Sequence, residues 1–265
     1  DQDLDIIAAG RLLWPVQMIR DAAGTLYVSD EGSHQIIKIN QDGSDAGEWG
    51  EEGSEAGQLN RPSGIAFDAD ENLLVVDTLN HRIQKFNKDG MYISGFGTKG
   101  SGPGEFDMPW GIAVNGEGDI FVVDWHNDRV QKFTADCEFI MEFGSSGSGD
   151  GEFNRPAGIE IDHHGDIYVA DRGNNRVQQF APDGRYVDKF IGDATLSKSG
   201  ETYVRANPAV LRNREMANTE QQKRFRGPVM LRFDDEGRMY VPDFGSHRIQ
   251  VYKKQAYPLT PEEIA

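Results

Sequence analysis

Three sets of side chains in this 265-residue chain could do chemistry. The first is a carboxylate followed five residues later by a guanidinium: Asp77/Arg82, Asp124/Arg129, Asp171/Arg176 and Asp243/Arg248. Such a carboxylate can accept turn N–H groups and hold the Arg at once. Asp30 repeats the position with Gln35 in place of Arg. A catalytic carboxylate is needed once, so this recurrence predicts structural turn locks, and no catalytic residue is assigned. The second set is His34, His81 and His247, at matching turn positions, with His126 nearby. Three imidazoles around an open fourth position would make a zinc catalyst, but each nitrogen must come within about 2.0–2.1 Å of the metal. Equivalent positions of a repeat are spread apart, so no cofactor is expected. The three histidines stay as the metal candidates should zinc or calcium be bound. The third set interleaves aromatics and arginines: Trp14, Arg61, Trp110, Trp125, His126, Arg155, Arg172 and Phe244. Trp and Arg give large contact area and directional donors, the chemistry of binding hot spots. Packing between structural units is the competing use of the same aromatics.

Other motifs lack their context. Gly95–Gly100 satisfies G-x-G-x-x-G, but Ser-Gly-Pro-Gly follows where a helix would have to start. No G-x-S-x-G nucleophile elbow is present. Cys137 is the only cysteine, which excludes an internal disulfide or a cysteine-based zinc cluster. It sits between Asp136 and Glu138, acids that raise a thiol's pKa.

The elements that must carry these residues follow from a repeat. Pro15, Pro62, Pro109, Pro156 and Pro228 are spaced by 47, 47, 47 and 72 residues. Asp30, Asp77, Asp124, Asp171 and Asp243 keep the same intervals. Each unit contains a short apolar run such as GIAFD, a β-branched run such as LLVVD and an alternating run such as RIQKF. MYISGFG and FIMEFG read as an outer fourth strand. A four-stranded unit of roughly 40–50 residues is the signature of a propeller blade. The expected fold is all-β: one propeller domain over 1–265, with blades starting near 14, 61, 108, 155 and 227. Five blades are visible, and a sixth is open if one is missing or divergent. Residues 1–10, or the tail around Gln255–Leu259, are candidate sources of a fourth strand for the last blade. Residues 193–226 break the pattern and predict a helical insertion, with Asn207-Pro208 as a helix start. They carry seven Lys and Arg against four acids.

The segments P-S-G-I-A (62–66) and N-H-R-I-Q-K-F (80–86), with close copies over Pro109–Phe133 and Pro156–Phe180, resemble the NHL-repeat family. That resemblance implies a β-propeller and leaves function open, because one fold hosts many chemistries. The first copy departs at His34-Gln35, and the fifth lacks the Gly after its proline. A peptidyl-hydroxyglycine lyase of this fold has a metal-histidine segment similar to 29–39. The positions matching its other zinc histidines here hold Val16, Ser63, Trp110, Ala157 and Val229.

In a propeller, the turns between second and third strands share one face with the crossings between blades. On this upper face the loops Glu31–His34, Thr78–His81, Trp125–Asp128, Arg172–Asn175 and Phe244–His247 are expected, beside the lead-in residues Trp14, Arg61, Trp110 and Arg155. The expected function is a non-enzymatic scaffold that binds a peptide, protein or carbohydrate there. The alternative is a metal-dependent lyase or lactonase at the channel mouth. A formal charge of −17 disfavours nucleic acid and anionic membranes as partners. No run approaches the ~18 apolar residues of a membrane helix. The first ten residues do not read as a signal peptide. The expectation is a soluble chain, cytoplasmic or exported.

Overall fold

The computed structural model describes residues 10–193, 198–216 and 223–253. The chain forms a five-bladed propeller. Blades 1 to 4 are four-stranded antiparallel sheets whose strands follow chain order from the channel outward. Their innermost strands are Pro15–Arg20, Pro62–Phe67, Pro109–Val114 and Pro156–Ile161. Among the described residues blade 5 holds three strands, Arg232–Phe233, Arg238–Asp243 and Arg248–Lys253. Pro228 is bridged to Asp243 at its inner edge.

Burial explains the sequence pattern. Every residue of the second strands Leu73–Asp77, Ile120–Asp124 and Ile167–Asp171 is buried, because a blade meets a neighbour on each face. The apolar cores lie between blades. One joins Tyr27 and Ile36 of blade 1 to Ile65, Val75 and Phe86 of blade 2. Another joins Leu74 and Val76 to Ile112 and Val122. Each crossing loop drops one large side chain into this seam: Leu59, Phe106, Phe153 and Phe225. Inner strands of adjacent blades also come very close. A Cβ on Gly64 would stand 2.5 Å from the Trp110 carbonyl oxygen, and one on Gly111 2.3 Å from that of Ala157. Only glycine fits there.

The helical insertion contains α1 (Lys198–Ala206) and α2 (Pro208–Met216). The Pro does open α2, but the Asn207 side chain does not cap it. Its Nδ2 instead donates back to the Tyr203 carbonyl (2.7 Å), closing α1. No helix among the described residues is long and apolar enough to cross a membrane.

The seams are unequal. The third-strand residues Ile36, Ile83, Val130 and Val177 are fully buried against the following blade, whereas their counterpart Ile249 is 63 % exposed. Val251 is exposed as well. Residues 1–9 and the tail around Gln255–Leu259, the expected sources of a closing strand, lie outside the described residues.

Candidate functional site

The upper face is built on two sets of buried bonds. Within a blade, Asp77 lies at the end of the second strand with no exposed surface. It accepts from the Asn60 N–H (2.6 Å), Asn80 Nδ2, Arg82 Nε (2.8 Å) and Gln84 Nε2. Asp124, Asp171 and Asp243 receive the matching donors, Arg129 Nε, Arg176 Nε and Arg248 Nε included. Burial pushes the carboxyls of Asp77, Asp124 and Asp171 up, against the pull of these donors. Each Arg reaches further than its turn. Arg82 Nη2 donates to the carbonyls of Glu55 and Gln58 in the crossing loop before its blade, and Arg129 does the same at Gly102 and Glu105. Five-residue spacing could reveal the ion pair but not this tie, whose partners lie 24 to 27 residues away.

Between blades the fourth residue of the turn is the acceptor. His34 Nδ1 receives the Arg61 N–H (3.1 Å), and His81 Nδ1 the Met108 N–H (3.0 Å). Asp128 Oδ1 receives Arg155 N–H, and Asn175 Oδ1 receives Gly227 N–H. Acceptor and donor residues are all at positive φ, between +52° and +68° in these four pairs. This left-handed conformation turns each N–H toward the preceding blade. Burial lowers the His81 pKa, which favours the neutral ring that Nδ1 acceptance needs. The candidate metal histidines are therefore spread around the ring, with two engaged as backbone acceptors. His247 has the same turn geometry, but among the described residues its ring receives no backbone N–H, and the Trp14 N–H of blade 1 goes to Asp30 instead. Among the described residues, no three His, Cys, Asp or Glu side chains gather as a metal site.

On this frame stands the aromatic set. A cavity of about 540 Å³ at the upper mouth is lined by Trp14, Val16, Glu31, Trp110, Arg172, Val229, Met230 and Phe244, among others. A side pocket of about 150 Å³ continues from Trp110 and Arg172 to Trp125 and Ala157. Trp14 is 64 % exposed and Phe244 72 %, so neither packs into a seam. Trp110 and Trp125 have ring centroids 5.7 Å apart, and His126 stacks on Trp125 at 4.6 Å. Trp110 lies on the inner strand of blade 3. Met108, not Trp110, holds the lead-in position there.

The arginines differ in company. Arg61 bonds Glu31 (2.7 Å) and lies over the Trp14 ring at 5.8 Å. Arg155 lies over Trp125 at 5.1 Å. Arg172 lines both the mouth and the side pocket, and no carboxylate among the described residues pairs with it. Sequence reasoning put the Glu31 loop on this face without singling out Glu31, and it missed Val229 and Met230 as lining residues, since neither is polar or aromatic. It also missed a second cavity, of about 460 Å³, at the opposite end of the channel. There Glu160 and Arg232 occupy the channel position held by Ile19, Ala66 and Ala113 in the other blades. They pair through Arg232 Nη1 (2.9 and 3.1 Å).

Comparison with known proteins agrees with the architecture. Residues 59–86, 106–133 and 153–180 match the NHL repeat. A virginiamycin B lyase from Staphylococcus aureus is similar in structure (TM-score 0.58, 16 % identity), over 94 % of this chain and 71 % of that one. A structure of a nidogen/laminin complex is similar too (TM-score 0.63, 15 % identity), over 90 % and 75 %. At these identities the likeness is one of fold. No curated protein matches the sequence significantly. The chain is thus a five-bladed propeller in which three blades match the NHL repeat and two further blades share their frame.

Proposed function

We propose that the chain is a binding module that captures a peptide or protein segment at the upper mouth. The observation that carries this reading is the exposed aromatic set around a 540 Å³ cavity, held by a frame that does not depend on it. Large exposed aromatics beside arginines are what a partner's apolar side chains can bury against. A similar propeller solved as part of a nidogen/laminin complex supports a protein partner over a carbohydrate. A metal-dependent lyase or lactonase would need a convergent ligand set at the mouth, and among the described residues none gathers. Stoichiometric zinc or calcium retained through dialysis would favour that enzyme over the binding module. The direct test selects peptides from a displayed library against the parent protein. Trp110→Ala and Arg155→Ala should each weaken the selected peptides at least tenfold while keeping the parent's melting temperature. Peptides that bind both variants as tightly as the parent would place the site elsewhere.

A further inference from the structure

Resting on that reading, we infer that the mouth recognises a carboxylate attached to an apolar group, with the carboxylate on Arg172. The argument is one of charge. In a chain with a formal net of −17, an unneutralised cation at a cavity wall stands out. Of the two charged residues that line this cavity, Glu31 is held by Arg61 and does not pair with Arg172, and Arg172 has no carboxylate partner among the described residues. Gly227 stands against its stem, where a Cβ would lie 3.9 Å from the Arg172 Cγ, and the neighbour of Gly227 in sequence is Arg226. A guanidinium presents a planar fork that matches a carboxylate in two parallel bonds.

The rest of the lining sets the remainder of the ligand. Trp14, Val229, Met230 and Phe244 are apolar surface, and Trp110 is shared with the side pocket. An aromatic or branched side chain next to the carboxylate fills that space. A polyanion does not suit it. Arg172 balances one negative charge, and Glu31 at the same wall repels a second. A phosphate chain or nucleic acid is disfavoured on the same ground. In a protein, the carboxylate comes from a chain terminus or from an Asp or Glu beside an apolar residue.

The experiment follows the tryptophan indole N–H resonances during titration with three probes. N-acetyl-phenylalanine carries a terminal carboxylate, and N-acetyl-aspartyl-phenylalaninamide a side-chain carboxylate. N-acetyl-phenylalaninamide carries none. At least one acid should shift the mouth resonances with roughly tenfold tighter binding than the neutral amide, as a charge-assisted bond predicts. Whichever acid binds tighter identifies the source. Arg172→Gln should remove the preference for the acids, and Arg172→Lys should restore part of it. Equal binding of acids and amide, with Trp110→Ala weakening all three, overturns the carboxylate inference and leaves the binding mouth standing. A preference that survives Arg172→Gln also overturns it. Failure of every probe to move the mouth resonances overturns both.

Discussion

Blade 3 and blade 5 carry nearly the same repeat and live in different surroundings. In blade 3 the Asp124/Arg129 pair is sealed: the Arg129 side chain is 8 % exposed and spans its own turn and the preceding crossing loop. In blade 5 the Asp243/Arg248 pair makes the same bond at 2.9 Å, but the Arg side chain is 26 % exposed. Val130 is fully buried by blade 4, and its counterpart Ile249 is mostly bare. The same residues thus hold different energies, because the stabilisation belongs to the seam between blades and not to the blade. Blade 1 shows the complement. It has no crossing loop ahead of it among the described residues, and it carries Gln35 and Ile37 where other blades carry Arg and Gln. Asp30 there turns to backbone donors, the N–H groups of Leu13, Trp14, Gly32 and Ser33.

Substitutions can break this contrast. The largest effect is expected from Asp124→Ala, which takes the fully buried counter-charge from Arg129 and leaves it only the half-exposed Glu142. Removing one partner of a buried pair costs about 3–5 kcal/mol. Asp243→Ala should cost about half as much, since water reaches Arg248. Urea titration of both variants checks this, and equal losses would mean that the open flank is covered. Next, Ile83→Ala should cost about 2–5 kcal/mol as a fully packed core deletion, and Ile249→Ala less than about 0.5 kcal/mol. A comparable loss at Ile249 in thermal melts would contradict its exposure. Smaller still, His81→Ala leaves the Met108 N–H without an acceptor at about 1–2 kcal/mol. His247→Ala shares the backbone cost of a left-handed residue but strands no donor. The difference between the two variants isolates the inter-blade bond.

The smallest effect is a slope with pH. Burial lifts the folded pKa of Asp124 above its ordinary 3.8, so the folded chain takes up that proton first. The contribution to stability is complete below the unfolded value and is lost as pH rises through the folded one. Asp21 has the opposite sign. Its carboxyl is lowered despite burial, through Lys88 and the Thr25 N–H, and its contribution is lost as pH falls. Asp124→Asn should therefore make the stability curve rise more steeply with pH just above 4 than the parent's, measured by denaturant titration across pH. An unchanged slope would show that the lock carboxyl titrates alike in both states.

The five-fold beat was legible because each blade meets its neighbour through the same positions, and that equality leaves a period in the residues. The upper placement of Trp14, Trp110, Trp125 and Phe244 was legible for the same reason. What could not be read is whatever the period averages away. His34, His81, Asp128 and Asn175 look like four unrelated residues, yet each presents one acceptor atom to the next blade. That no carboxylate among the described residues pairs with Arg172 is likewise invisible in sequence, because it depends on the folded positions of distant acids. Asn207 misled because Asn-Pro fixes where a helix begins, but not which neighbour the amide serves.

The bare flank of blade 5 has a colloidal consequence. Its third strand, Arg248–Lys253, has no outer partner among the described residues and displays Ile249 and Val251. Unpaired strand borders invite a second molecule to zip alongside. Mutual repulsion between copies bearing −17 opposes this, but only over a Debye length, about 10 Å at 0.1 M salt and 3 Å at 1 M. Adding salt should therefore make this protein stickier, where most acidic proteins gain solubility from their charge.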